Sequence, residues 1–155
     1  MADDALVSLS VTALPDEIAQ TFSGNLSVAP ADANDKWYYK LTTISTSSGD
    51  LIAGSFLDYT AVAAASAPTA ITTSDKVKFL MIQNQSAADG IVICLDGGTA
   101  AYDLVDGIFI GPSQTFTLRC PNTTVGNLHA VAADETSAGD ASVTAIVAAL
   151  IDDVA

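Results

Sequence analysis

The sequence is poor in the side chains that carry out chemistry. Its 155 residues include one His, two Cys, five Lys or Arg, and only two Glu. Catalysis usually draws on a general acid or base, an activated nucleophile or a metal cluster. Because few such sites can be built from this set, the composition favours a protein that assembles with other proteins over an enzyme.

No catalytic motif offsets this shortage. His129 lies in a strand-like run, and a Gly-x-Ser-x-Gly nucleophile turn is absent. One His is too few for a cupin-type metal site, which needs several. Glu17 and Glu135 are the only Glu residues, and most Asp residues fall in turn-like stretches, which makes a glycosidase carboxylate pair a poor match. We therefore predict no catalytic residue.

The charge balance limits the partners. Eighteen Asp or Glu against five Lys or Arg give a formal net charge of -13. A polyanion repels such a chain over most of its surface, so no nucleic-acid binding is expected. The start Met-Ala-Asp-Asp lacks the cations of a secretory n-region, and the longest apolar run, 143–151, is about half of a membrane span. We expect neither a signal peptide nor membrane binding.

Two further groups could bind or cross-link. Cys94 and Cys120 lie in apolar strand-like runs without metal or redox spacing, which favours buried free thiols and leaves a disulfide as the alternative. The Asp-rich stretches 32–35 and 96–106 offer the oxygen ligands that Ca²⁺ prefers. Asp and Asn also form ordinary solvated turns, so no cofactor is predicted and Ca²⁺ stays an open alternative.

What the chain has in abundance is small residues arranged with period two. It contains 27 Ala and 30 Ser or Thr, and apolar residues alternate with polar ones along most of its length. Turn residues separate these runs about every ten positions from residue 76 onward. The pattern predicts an all-β, antiparallel β-sandwich, jelly-roll-like, with an extended N-terminal arm. Expected strands lie at 5–12, 37–45, 51–58, 76–84, 91–95, 107–110, 115–120, 127–133 and 142–150.

The predicted organisation is an N-terminal strand or arm with an irregular segment over 1–35 and a sandwich domain over 36–155, which together form a single compact domain. Residues 13–35 and 61–74 are expected to be irregular. The segment 143–151 fits a helical apolar period as well as a strand, and the β-rich context decides for a strand.

Four of the five cations fall in two short strand-like segments. In an acidic chain, a small cationic and aromatic patch suits contact with the acidic face of a neighbouring subunit. Lys on an exposed strand edge also guards against mispairing, and this alternative stays open. The predicted interface residues are Lys36, Trp37, Tyr38, Tyr39, Lys40, Lys76 and Lys78.

Two stretches in the second half share a pattern of strands and turns. In the first, a strand ends in Asn84-Gln85-Ser86 and the next strand ends in Asp96-Gly97-Gly98. In the second, Ile110-Gly111-Pro112-Ser113 leads into the strand Phe116-Thr117-Leu118. With this pattern the chain resembles small virion proteins of tailed bacteriophages. The likeness covers residues 76–150 and consists of strand and turn patterns, without an active-site signature.

The resemblance implies a capsid decoration (cement) protein, commonly a homotrimer, on the outer surface of a phage head. Such a protein stabilises the head by bridging subunits of the major capsid protein, and it is made in the cytoplasm of the bacterial host. A phage tail, neck or fibre component would need the same properties. A carbohydrate-binding β-sandwich module is the alternative from another class, because Trp37 and Tyr39 on one face of a strand would form a two-ring platform.

Overall fold

The computed structural model describes residues 4–13, 20–57 and 69–154. The chain forms two compact units, residues 1–33 and 34–155. Both are built from antiparallel strands, and the described residues contain no α-helix. It follows that none of these residues forms a helix able to cross a membrane. The prediction of an all-β, antiparallel fold is confirmed.

The N-terminal unit is a two-stranded ribbon. β1 (Ala5–Ala13) pairs with β2 (Gln20–Val28) in a continuous antiparallel register. The expectation of irregular structure over 13–35 is wrong at β2. Phe22 and Leu26 do alternate with polar residues there, but Gly24 occupies the apolar position between them and hides the period. Leu9 of β1 lies opposite Gly24.

The second unit contains two four-stranded antiparallel sheets. The order of strands in the first sheet is β3 (Asp35–Ile44), β10 (Val143–Asp152), β5 (Lys76–Asn84) and β8 (Thr115–Thr124). The order in the second sheet is β4 (Gly49–Asp50), β9 (His129–Ala133), β6 (Gly90–Cys94) and β7 (Ile108–Ile110).

The strand order is that of a jelly roll. The chain pairs as one long folded hairpin, β3 with β10, β4 with β9, β5 with β8 and β6 with β7. Rolling this hairpin brings β10 beside β5 and β9 beside β6, which completes the two sheets. Strands paired in this way form the double-sheet jelly roll. The jelly-roll-like sandwich expected from the sequence is therefore observed.

The main core lies between the two sheets, and β10 runs through the middle of the first sheet. Its inward positions alternate Val and Ala, and these small side chains let the neighbouring strands bring larger residues close. Apolar burial of this kind contributes about 25 cal/mol per Å². The largest core residues of this unit include Tyr38, Leu51, Leu80, Ile82, Ile91, Ile93, Ile110, Leu128 and Ile151.

One expected strand takes another form. In place of a strand over 51–58, β4 has two residues and the described chain from Leu51 to Leu57 is irregular. Leu51 and Ile52 are adjacent and both buried, which a strand with one face on the core does not allow. A loop that follows the core edge buries both. At the other end of the unit, β8 continues through Pro121, which an edge strand tolerates.

Candidate functional site

The first sheet has an outer face, on the side away from the core, that is mostly apolar. Strand pairing aligns its side chains in three rows across four strands, because residues in register share a face. We call this set the outer face. Its rows are Trp37, Leu150, Phe79 and Arg119; Tyr39, Ala148, Met81 and Thr117; and Leu41, Ile146, Gln83 and Thr115.

The outer face is nearly free of charge. Arg119, at the β8 edge, is the single charged residue of the twelve, whereas the whole chain carries a net charge of -13. The next row on the same side of the sheet pairs Asp35 with Asp152.

Exposure varies across the outer face. Tyr39 is 54% exposed and Leu41 is 62% exposed, whereas Phe79 and Leu150 are 3% and 1% exposed. A sandwich usually presents polar residues on this side. A contiguous exposed apolar patch in a charged protein marks an interaction surface.

The second sheet is different, because a loop of the same chain covers its outer side. Four residues of β6 and β9 on that side are buried and form a second small core. The loop between β6 and β7 packs on them, and this loop also carries Asp96, Asp103 and Asp106. One sheet is thus closed by an acidic loop, while the first keeps exposed apolar side chains. The residues of the small core are Val92, Cys94, Val131, Ala133, Ala100 and Leu104.

The predicted aromatic residues separate onto two sides of β3. Trp37 and Tyr39 lie on the outer face, and the Trp37 ring contacts the Phe79 ring edge-on with centroids 6.3 Å apart. Tyr38 is buried in the core, where its hydroxyl donates a hydrogen bond to Ala53 O at 3.3 Å. Burial raises the pKa of Tyr38. Tyr38 therefore supports the sheet from inside and is not part of an exposed surface.

The predicted cations lie on the two strands that flank β10, so the structure brings both segments into one sheet. Lys36 Nζ lies 2.5 Å from Asp153 Oδ2. Lys78 Nζ lies 2.5 Å from Asp35 Oδ1 and 3.6 Å from Asp152 Oδ2. The hydrogen bond to Asp35 is the main reason why the pKa of Lys78 is raised. Both ammonium groups thus neutralise acids of their own chain.

The remaining predicted interface residues are less constrained. Lys40 is exposed and donates to Ala53 O at 3.3 Å, which ties β3 to the loop that follows β4. Lys76 is half-buried at the start of β5, opposite Thr124 on one side and Asp152 on the other. Whether any of the seven residues contacts a partner stays a prediction.

The histidine and one cysteine lie near each other but form a structural network. The Cys94 thiol donates to Asp96 Oδ1 at 2.7 Å, and Gly98 N–H donates to the same oxygen at 2.8 Å. Burial, together with this hydrogen bond, raises the pKa of Cys94, and the bond from the thiol holds the pKa of Asp96 below its ordinary value. His129 Nδ1 donates to Gly98 O at 2.7 Å, and its Nε2 lies 3.4 Å from Asp50 Oδ1. A thiol kept protonated is a poor nucleophile.

A cleft of about 340 Å³ opens beside the second cysteine. Its walls include Lys78, Arg119, Cys120 and Pro121. Burial raises the pKa of the Cys120 thiol, and Lys78 is already paired with Asp35. Both cysteines are free. The cleft is large enough for a small molecule, but its walls supply no activated nucleophile.

The calcium candidates are engaged in other contacts. Asp35 binds Lys78, and Asp96 Oδ1 accepts hydrogen bonds from Cys94 and Gly98. Asp152, on the neighbouring strand, also faces the Lys78 ammonium group, at 3.6 Å. Whether any of these stretches binds Ca²⁺ stays a prediction.

The two turn motifs that carry the phage resemblance contact each other. Asn84 is buried, and its side-chain amide donates to Gly111 O at 3.0 Å while its Oδ1 accepts from Ser86 N at 2.9 Å. Ser113 N donates to Ser86 O at 2.8 Å. Ser113 has a φ of 58°, and the side chain of Gln114 accepts from Gly111 N at 2.9 Å. The resemblance therefore describes a loop pair that holds β5 and β7 together at one end of the sandwich.

The N-terminal ribbon has an apolar face of its own. Val7 opposes Leu26 and Val11 opposes Phe22, with Leu9 between them opposite Gly24. Leu9 is 62% exposed and Phe22 is 56% exposed. We call these six residues the ribbon face. An isolated two-stranded ribbon is only marginally stable in water. Burial of the ribbon face against a partner would therefore stabilise it.

Sequence reasoning missed most of the outer face. Leu41, Met81 and Ile146 belong to it, yet each is far from the others in the sequence. The sequence does contain one signal. Ile146 and Leu150 lie on the opposite side of the strand from its inward residues and are apolar as well. For this reason the segment 143–151 also fits the apolar period of a helix. A strand with apolar residues on both sides has two faces to cover. The sequence matches no protein-family model and no curated protein.

Proposed function

We propose that the chain is a structural virion protein that decorates a phage head and stabilises it by bridging capsid subunits. The jelly roll is a frequent architecture of viral structural domains, and the two motifs of the resemblance lie at one end of it. A fold by itself does not determine a function, so the proposal rests on the surfaces that the fold presents.

The observation that carries the proposal is the presence of two exposed apolar surfaces on separate units. The outer face belongs to residues 34–155, and the ribbon face belongs to residues 1–33. Neither contains an Asp or Glu, although the chain has 18 of them. A protein that bridges two neighbours needs at least two contact surfaces, whereas an enzyme needs a cleft with positioned catalytic groups.

The test is binding of the full chain to procapsids and to expanded heads of the cognate phage, measured by co-sedimentation. We expect retention on expanded heads at a fixed ratio to the major capsid protein, and a higher temperature of head disruption when the protein is bound. The matched variants are Phe22→Ser on the ribbon face and Val105→Ser, because Val105 is a fully exposed loop residue outside both surfaces. Phe22→Ser should weaken binding at least tenfold, and Val105→Ser should leave it unchanged.

A second candidate is carbohydrate binding, favoured by the position of Trp37 and Tyr39 on one face, where Tyr39 is exposed and Trp37 is half-buried. Aromatic rings placed two residues apart on a strand suit the flat faces of sugars. Retention of the full chain on a glycan array, without retention on heads, would favour this function and overturn the decoration proposal. Loss of glycan retention in Tyr39→Ser would locate the site.

A further inference from the structure

We infer that the outer face is the contact between two copies of this chain, packed face to face across a twofold axis. This inference deepens the proposed function and rests on it in one respect: it assigns one of the two apolar surfaces to self-association and leaves the ribbon face for the head. It replaces the homotrimer that the resemblance implies with a pair. The charge, the area and the shape of the outer face favour this pairing.

Charge selects the outer face for self-association. Two copies at -13 each repel one another wherever acidic loops approach. The loop over the second sheet carries Asp96, Asp103 and Asp106, so packing that side against a copy would bring like charges together. The outer face has no acidic residue among its twelve, and Asp35 and Asp152 in the next row are paired with Lys78. Copies can therefore meet there without that repulsion.

The outer face and the ribbon face differ in the area that each could bury against a copy of itself. Four strands at about 4.8 Å spacing and three to four side-chain rows at about 6.7 Å spacing give a face of roughly 450 Å². Two such faces bury roughly 900 Å², close to the roughly 1,000 Å² at which specific interfaces begin. The ribbon face, two strands wide and about 30 Å long, gives only roughly 600 Å² when paired with itself. Of the two surfaces, only the outer face approaches the area that a stable pair needs.

The shape of the outer face allows two copies to fit together. Two large exposed side chains, Tyr39 and Leu41, form a ridge with the half-buried Trp37 along β3 at one edge. Towards the opposite edge, the side chains of the middle row are less exposed than Tyr39; they are Ala148, Met81 and Thr117. A twofold axis parallel to the strands sets the ridge of one copy over the low side of the other. Such a contact is isologous, so each ridge is covered once.

The test is the mass of the full chain in solution, measured by sedimentation equilibrium from 1 to 100 µM. We expect twice the 15.8 kDa of one chain. Leu41→Asp places a carboxylate on the ridge and should weaken association at least 100-fold. Tyr39→Lys, a second ridge variant with the opposite charge, should weaken it as well. Val105→Asp adds the same charge as Leu41→Asp at an exposed loop position and should leave the dimer intact.

Far-ultraviolet circular dichroism checks that each variant is folded. We expect both ridge variants to fold, because Tyr39 and Leu41 are exposed. A wild-type monomer, a trimer, or a Leu41→Asp dimer of unchanged affinity would overturn the inference. A monomer whose Leu41→Asp variant loses head or glycan binding would assign the outer face to that partner instead. A dimer that ignores heads would leave the pairing in place and refute the decoration function, so the two failures are distinguishable.

Discussion

Asn84 is the position where a single substitution should reveal how the two sheets are held together. It ends β5 in the first sheet, and its side chain is 1% exposed. Its amide donates to Asp89 O at 2.8 Å and to Gly111 O at 3.0 Å, beyond the end of β7 in the second sheet. Its Oδ1 accepts from Ser86 N at 2.9 Å. Asn84→Ala removes these three bonds at once, together with a longer contact from the amide to Ile110 O at 3.4 Å.

The magnitude follows from those three bonds. Each contributes about 0.5–1.5 kcal/mol net, and a buried group left without its partner costs about 1–3 kcal/mol. We therefore expect Asn84→Ala to lower the free energy of unfolding by about 3–5 kcal/mol. A domain of this size has about 5–15 kcal/mol in total. At about 2–4 °C per kcal/mol, the midpoint of thermal unfolding should fall by roughly 6–20 °C.

The assay is urea unfolding followed by circular dichroism at one fixed protein concentration, since the proposed self-association would make stability depend on concentration. Asn122→Ala is the matched control, because it makes the same chemical change at an exposed position of β8. Asn84→Asp keeps the size and the acceptor for Ser86 but turns a buried carboxylate oxygen toward the carbonyl oxygens of Asp89 and Gly111, so it should cost at least as much as Asn84→Ala. A loss below about 1 kcal/mol for Asn84→Ala, or one equal to that of Asn122→Ala, would refute the reasoning.

Two further substitutions test the first sheet and the second. Lys78→Met removes the ammonium group beside buried Asp35 and should cost about 1–3 kcal/mol at pH 7. The pKa of Lys78 is raised above its ordinary value of 10.5, so the stabilisation from its ammonium group is complete below pH 10.5 and is lost as the pH rises through the raised pKa. In urea unfolding at strongly alkaline pH, wild type and Lys78→Met should therefore have the same free energy of unfolding. Gly90→Ala places a Cβ against the Phe109 ring and should cost about 1–3 kcal/mol, whereas Gly49→Ala, with nothing within 4 Å, should change the urea midpoint little. Equal midpoints for the two Gly variants would contradict the packing of β6 against β7.

The sequence predicted local features better than distant ones. Period-two alternation located most strands and placed Trp37 and Tyr39 on one side of β3, because the alternation is a property of the strand itself. It could not place β3 beside β10, since their pairing joins residues about one hundred positions apart in the chain. The outer face and the Lys36 contact with Asp153 both depend on that pairing. For the same reason the turn motifs at 84–86 and 110–113 looked independent, although they form one hydrogen-bonded loop pair.

The scarcity of cations and the difference between the two sheets together indicate which surface is available to a partner. Two of the five cations, Lys36 and Lys78, are bound to acids of their own chain, so they offer little charge to a partner. The excess acid includes the loop that closes the second sheet, and the first sheet leaves a neutral apolar face exposed. Repulsion between acidic loops keeps copies apart in most orientations, and its range in physiological salt is about 8 Å. Association is therefore favoured where the acids are absent, and the orientation of a complex is set by the charge that surrounds its interface more than by ion pairs within it.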